Sequence, residues 1–260
     1  MMYAVCRSGR GPFLAAMLGL AAVALPAHAQ QNLFNVPSAE ITPKNAIFFQ
    51  QQFNANRSSA QSNTTISYGL GGDAEVGLNV FSLGLFPERA AMSDPAPPMF
   101  LFNAQKGFDL GETFKLGLGT QVGVTTPDQR NDERLSNFSY LTGVAELPDD
   151  RGKLYAGAYF ASPAYRGRKG DPVGFMLGYD IPVIKDRFNL MGDYISGTSG
   201  ISVAVFGGVL QMTENWQLSL GVQVPSPGSH NSYGGVLELT FVPGNKSEGK
   251  GAGKERDPAP

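Results

Sequence analysis

The chain has 260 residues, of which only 16% are charged, with 33 glycines, 17 phenylalanines and nine tyrosines. Ordinary soluble domains carry about 25% charged residues, so too little charge is present to cover a water-facing surface of this size. A net charge of −2 lacks the basic footprint of a nucleic-acid partner, and a single cysteine, Cys6, excludes a disulfide scaffold.

Arg7 and Arg10 precede the apolar run Phe13 to Leu25, and Ala27-His28-Ala29 follows it. This is the pattern of a secretory signal with an A-x-A cleavage site, so residues 1–29 are expected to be removed and the mature chain to begin near Gln30. The run is about half of the ~20 residues that a membrane-spanning helix needs. Cys6 leaves with the signal, and the remainder must be held by a core or a closed sheet.

Beyond Asn45, two-residue alternation of apolar side chains recurs almost everywhere, and no segment after the signal has a convincing helical period. Twelve strands are expected: Asn45–Asn54, Asn63–Leu70, Ala74–Phe86, Pro98–Phe108, Thr113–Val124, Asn137–Leu147, Lys153–Ala161, Pro172–Val183, Arg187–Ser196, Gly200–Met212, Asn215–Val224 and Asn231–Val242. Most are near the ~9–11 residues that a tilted strand needs to cross a bilayer. Connections after even-numbered strands are tight ("GGD", "DLGE", "PDDRG", "IKD", "TE"), and most of those after odd-numbered strands are longer. An up-and-down meander whose two ends face different environments has this pattern. Similar openings follow the tight turns, as if one hairpin were the repeated unit.

Sorting alternate residues separates two faces. In the fifth strand Phe114, Leu116, Leu118, Val122 and Val124 oppose Lys115, Gly117, Gly119, Gln121 and Gly123; in the eleventh, Trp216, Leu218 and Leu220 oppose Gln217, Ser219 and Gly221. The second face is small or uncharged polar, which suits the inside of a narrow closed barrel better than bulk water. Glycine there makes room for bulky inward neighbours such as Tyr155 and Tyr159. In hydrocarbon an open sheet edge is not viable, so the sheet is expected to close. The expected fold is all-β: a closed antiparallel up-and-down transmembrane β-barrel of about twelve strands over residues 45–243. Phe48, Phe53, Phe138, Tyr140, Tyr194, Trp216, Tyr233 and Phe241, near strand ends, are expected as interfacial girdles.

The last strand, "SYGGVLELTF", carries Gly234, Leu237, Leu239 and the terminal aromatic Phe241. In this strand and in architecture from Asn45 to Phe241, the chain resembles Gram-negative outer-membrane β-barrel proteins of the porin-like, small-channel type. The resemblance implies that these four residues form the signal read by the barrel-assembly machinery. It also implies contact with outer-membrane lipid and lipopolysaccharide. The family commonly ends at the aromatic residue, whereas here residues 244–260 follow and read as a disordered tail. Residues 30–44 are expected as an N-terminal periplasmic segment.

Chemistry is sparse. An outer-membrane phospholipase is among twelve-stranded barrels, but the mature chain has one histidine, His230, with Ser229 and Ser232 beside it on a turn, a poor geometry for nucleophile and base. No metal-ligand spacing is present and no cofactor is expected. "PDQRNDER" and "YRGRKG", the latter with Arg166, Arg168 and Lys169, read as solvated loops. The remaining candidates line the lumen: Lys115, Gln121, Asp180, Asp193, Gln217 and Glu238. Lys115, Asp180 and Glu238 are expected at similar depth, forming a net negative zone that favours small cations, or else pairing to fill the interior. The expected function is a passive, weakly selective channel or transporter for small polar solutes. A structural or surface-interaction barrel with a filled lumen is the alternative, and a barrel-wall lipid hydrolase a weaker one.

Overall fold

The computed structural model describes residues 32–57, 59–85, 98–126, 134–166, 170–229 and 231–244. The first six strands are β1 (Ile47–Ala55), β2 (Ala60–Gly69), β3 (Ala74–Gly84), β4 (Met99–Asp109), β5 (Phe114–Thr125) and β6 (Leu135–Glu146). They continue through β7 (Lys153–Ala161), β8 (Val173–Ile184), β9 (Phe188–Ile195), β10 (Val203–Gln211), β11 (Trp216–Pro225) and β12 (Gly234–Phe241). A four-residue helix, α1 (Pro163–Arg166), follows β7. Each strand pairs antiparallel with its sequence neighbours, and β1 closes the ring against β12, with Gln52 opposite both Asn63 and Glu238. All twelve expected strands are present, displaced at their ends by at most a few residues.

The turns explain the hairpins. Between β2 and β3, Gly71, Gly72 and Asp73 all adopt positive φ, which glycine and aspartate tolerate best. This turn and its counterparts after β4, β6, β8 and β10 lie at one end of the barrel, and the connections after odd-numbered strands lie at the other. Bulges interrupt the register on β3 opposite Ser62 and Thr64, where Ser82 has a positive φ, and on β8 between Pro182 and Ile184; proline has no N–H for a regular ladder and is at home there.

Outward side chains form an apolar exterior: Leu78, Phe100, Phe102, Leu118, Phe175, Leu220 and Val222 are each more than half exposed. Isolated exposed apolar residues are ordinary, but a belt around every strand is not. Such a belt suits a lipid medium. Phe53, Tyr194, Trp216 and Phe241 face outward as expected of girdle residues, with the Trp216 and Phe241 rings edge-on at 5.2 Å. Phe48, Phe138 and Tyr140, also expected there, point inward and are buried, because their strand positions share the parity of Gln50 and Thr142 on the luminal face.

The interior also differs from the expected small, polar lining. The walls of β1–β4, β11 and β12 are mostly polar, with Gln50, Gln52, Thr65, Ser67, Glu75, Asn79, Asn103 and Gln105 inside beside Phe48, Met99, Leu101 and Val236. Those of β6–β10 contribute Tyr140, Val144, Tyr155, Tyr159, Met176, Met191, Val205 and Val209 to one buried apolar cluster.

Candidate functional site

The partner of that apolar wall is the chain's own beginning. Residues 32–44 were expected on the periplasmic side of the barrel; they lie inside it, with Leu33, Phe34, Val36, Ser38, Ala39 and Thr42 buried. Leu33, Phe34 and Val36 join the cluster of Tyr155, Met176, Met191 and Val205. Full burial of such a side chain is worth about 1.5–3 kcal/mol, which draws three of them within four residues out of water. The segment turns tightly, Leu33 N–H donating to the Val36 carbonyl at 3.0 Å, and Asn32 bridges back to Pro37. It then crosses the lumen to Lys44, which bridges Gly69 of β2 at the short-turn end.

Glycines of the wall make the floor on which it lies. An added Cβ on Gly117 would stand 2.9 Å from Ala39 Cα, on Gly221 2.9 Å from the Phe34 ring, and on Gly107 2.9 Å from Ile41. On Gly178 it would collide with Leu33. Strand glycines here therefore trade local β preference for close approach of a second chain segment.

Polar wall groups hold the main chain of the segment. Asp193 of β9 accepts from the consecutive N–H groups of Asn35 and Val36, the latter at 2.8 Å. Glu75 of β3 accepts from the N–H and hydroxyl of Thr42, both at 2.7 Å. Gln52 of β1 donates to the Phe34 carbonyl at 2.6 Å, and Gln105 of β4 to the Ser38 carbonyl at 2.7 Å. Buried carboxylates and amides placed this way are satisfied by the segment, which offsets their desolvation.

At the short-turn end the contact is ionic. Glu40 lies 2.6 Å from Lys153 of β7 and 3.2 Å from Lys115 of β5, and Glu146 completes the group at 3.5 Å from Lys153 and 3.9 Å from Lys115. Burial pushes the Glu40 carboxyl up, but the ammonium groups of Lys153 and Lys115 outweigh this and hold it below the ordinary carboxylate value.

The expected lining residues separate accordingly. Lys115 belongs to the Glu40 group, and Asp180, opposite Lys153 in the sheet, accepts from Asn189 at 2.7 Å. Glu238 stands on the far wall, fully buried, accepting from Ser219 at 3.3 Å and Thr240 at 3.2 Å. The expected zone of Lys115, Asp180 and Glu238 is thus divided, since β5 and β12 are on nearly opposite sides of the ring. Gln217 is buried and donates to Gln211 at 2.9 Å. Gln121 accepts from the Tyr165 hydroxyl at 3.2 Å. That tyrosine, on α1, stacks on Phe138 at 5.1 Å, and Phe138 stacks on Tyr159 at 5.6 Å, an aromatic layer at the long-loop end.

Sequence reasoning passed over Glu40, Glu75, Gln52, Gln105, Glu146 and Lys153. Strand parity would have found all but Glu40: Glu75 alternates with Gly77 and Asn79 against Val76 and Leu78. Arg166 of the expected basic loop donates to the Gly170 carbonyl. Arg168, Lys169, His230, the signal, most of "PDQRNDER" and nearly all of the expected tail lie outside the described residues. Among the described residues no group of His, Cys, Asp and Glu is placed to hold a metal ion.

A closed twelve-stranded antiparallel barrel, apolar outside and lined by polar groups over half of its wall, is a porin-like barrel. No protein-family model matches the chain, and no curated protein does. Among solved structures, the KdgM porin in complex with disordered oligogalacturonate is similar in fold, with a TM-score of 0.53 at 11% sequence identity, over 75% of this chain and 98% of that one. The porin-like fold is consistent with the outer membrane.

Proposed function

We propose that the protein is a non-enzymatic outer-membrane channel for small polar solutes whose resting lumen is closed by its own residues 32–44. One observation carries this reading. The segment rests on a polar wall, Gln52, Glu75, Gln105 and Asp193, and its withdrawal leaves that wall hydrated. A barrel meant only to be filled has no use for buried carboxylates, because an apolar lining of the same shape is at least as stable.

With the segment out, the described lining has Lys115 and Lys153 against Glu75, Glu146, Asp180, Asp193 and Glu238. Such a lumen prefers cations and neutral polar solutes modestly. Oligogalacturonate, the ligand named for the KdgM porin structure, is a chain of sugar acids and a poor fit to these carboxylates. The expected partners, outer-membrane lipid, lipopolysaccharide and the barrel-assembly machinery, belong to the same reading.

A filled structural barrel is the second reading, favoured by the packing of Leu33, Phe34 and Val36 into the apolar cluster and by the Tyr165 layer. The two separate in a planar bilayer. A channel opens when the chain is cut between Lys44 and Asn45 and the segment washed out; a filled barrel stays silent.

A further inference from the structure

Five of the contacts that hold the segment use only its main chain: the N–H groups of Asn35, Val36 and Thr42 toward Asp193 and Glu75, and the carbonyls of Phe34 and Ser38 toward Gln52 and Gln105. Every peptide offers these groups, whatever its sequence. Side chains of the segment meet glycines, at Gly117, Gly178, Gly221 and Gly107, so the wall gives them space rather than a polar match. Contacts that do read side chains are the packing of Leu33, Phe34 and Val36 into the apolar cluster, Glu40 with Lys115 and Lys153, the Thr42 hydroxyl with Glu75, Asn32 with Gln50, and the Asn35 amide with Asp193.

We infer that the luminal wall is a binding site for a peptide main chain, and that the solutes this barrel takes in place of its own segment are short, neutral or cationic peptides. The inference rests on the reading of residues 32–44 as an occupant that can withdraw. Glu75 of β3 and Gln105 of β4 are cross-strand partners, and this pair takes both an N–H, that of Thr42, and a C=O, that of Ser38, from one stretch of main chain. Sugar hydroxyls donate and accept alike and do not call for an acceptor-only carboxylate set beside an amide donor. A peptide has one donor and one acceptor per residue at fixed spacing, as strand-like peptide recognition exploits elsewhere.

The test uses the full-length protein, folded with its segment in place, with a protease site inserted between the exposed Lys44 and Asn45. After cutting and washing, binding is measured for four labelled probes. These are the peptide Asn32 to Lys44, an unrelated neutral peptide of equal length, that peptide with N-methylated main chain, and a neutral oligosaccharide of similar length. Both unmodified peptides should bind the cut barrel and not the uncut one, and Asp193→Asn or Glu75→Gln should weaken each about tenfold. N-methylation should weaken binding by tenfold or more, a comparison that needs no folded variant. Binding of the native segment alone, indifference to N-methylation, equal binding of the oligosaccharide, or no peptide binding at all overturns the inference. A cut barrel that binds peptides yet passes no current leaves it standing and removes the channel reading.

Discussion

Lys153 Nζ and Glu40 Oε1 stand 2.6 Å apart, joining a strand of the barrel wall to the segment that fills the lumen. The pair is partly screened, with 22% and 14% of the two side chains exposed, and it shares its charges with Lys115, Glu146 and, across the sheet, Asp180. Since the Glu40 carboxyl is held below its ordinary value of 4.5, its contribution is complete above that value and is lost as pH falls through the depressed one. Protection of the segment's amides, taken as the ratio of the intrinsic to the observed exchange rate at each pH, should therefore show a step of loss below about pH 4.5. Glu40→Gln should remove the acid step and weaken retention by about 1–2 kcal/mol at neutral pH. An unchanged acid step in Glu40→Gln assigns it to another group.

Asp193 pins the turn of the segment. Asparagine keeps the shape but brings two N–H donors toward the N–H groups of Asn35 and Val36, so Asp193→Asn should cost about 1–2 kcal/mol of segment retention. Limited proteolysis after Lys44 measures this. Cleavage as slow as in the parent contradicts the anchoring role.

Gly178→Val pushes a side chain into the place of Leu33, whereas Gly192→Val meets the Tyr179 ring on the outer face. Overpacking costs about 1–3 kcal/mol in either case. The first should release the segment and the second should not, as read by the same proteolysis. Equal release by both points to general loosening of the barrel.

The strands were legible because their two-residue period is local, and turn residues such as Gly71, Gly72 and Asp73 mark where it breaks. The inner face was legible in β5, β8 and β11, where glycine and glutamine oppose leucine and valine. It was not in β9 and β10, where Met191 alternates with Leu190 and Val205 with Phe206, apolar on both sides. Those strands have an apolar outer face and meet the Leu33–Val36 turn inward. Residues 32–44 carry no period, and what places them is long-range: Asp193 is 157 residues from Val36. Asp193 and Glu238 were therefore found as lining residues, while the groups they serve were not.

Leu118 is mid-strand and faces outward, and Leu135 faces outward at the start of β6. If the exterior meets lipid, Leu118→Lys should cost about 2–4 kcal/mol in bilayer refolding and Leu135→Lys about 0–1. Equal and negligible costs are the result expected of a barrel in water.

Phe241 packs edge-on against Trp216 at the end of the strand that also carries Gly234, Leu237 and Leu239. Phe241→Ala should lower the heat-modifiable barrel recovered from membranes severalfold while sparing refolding in detergent. A parallel loss in detergent makes Phe241 a packing residue, not part of an assembly signal.

Single-channel recording on the same molecules before and after the cut between Lys44 and Asn45 tests the closed lumen most directly. The intact chain should be silent or open only briefly, and the cut and washed chain should conduct steadily with modest cation preference. Steady conductance before the cut, or silence after the segment has been shown to leave, contradicts a channel closed by residues 32–44.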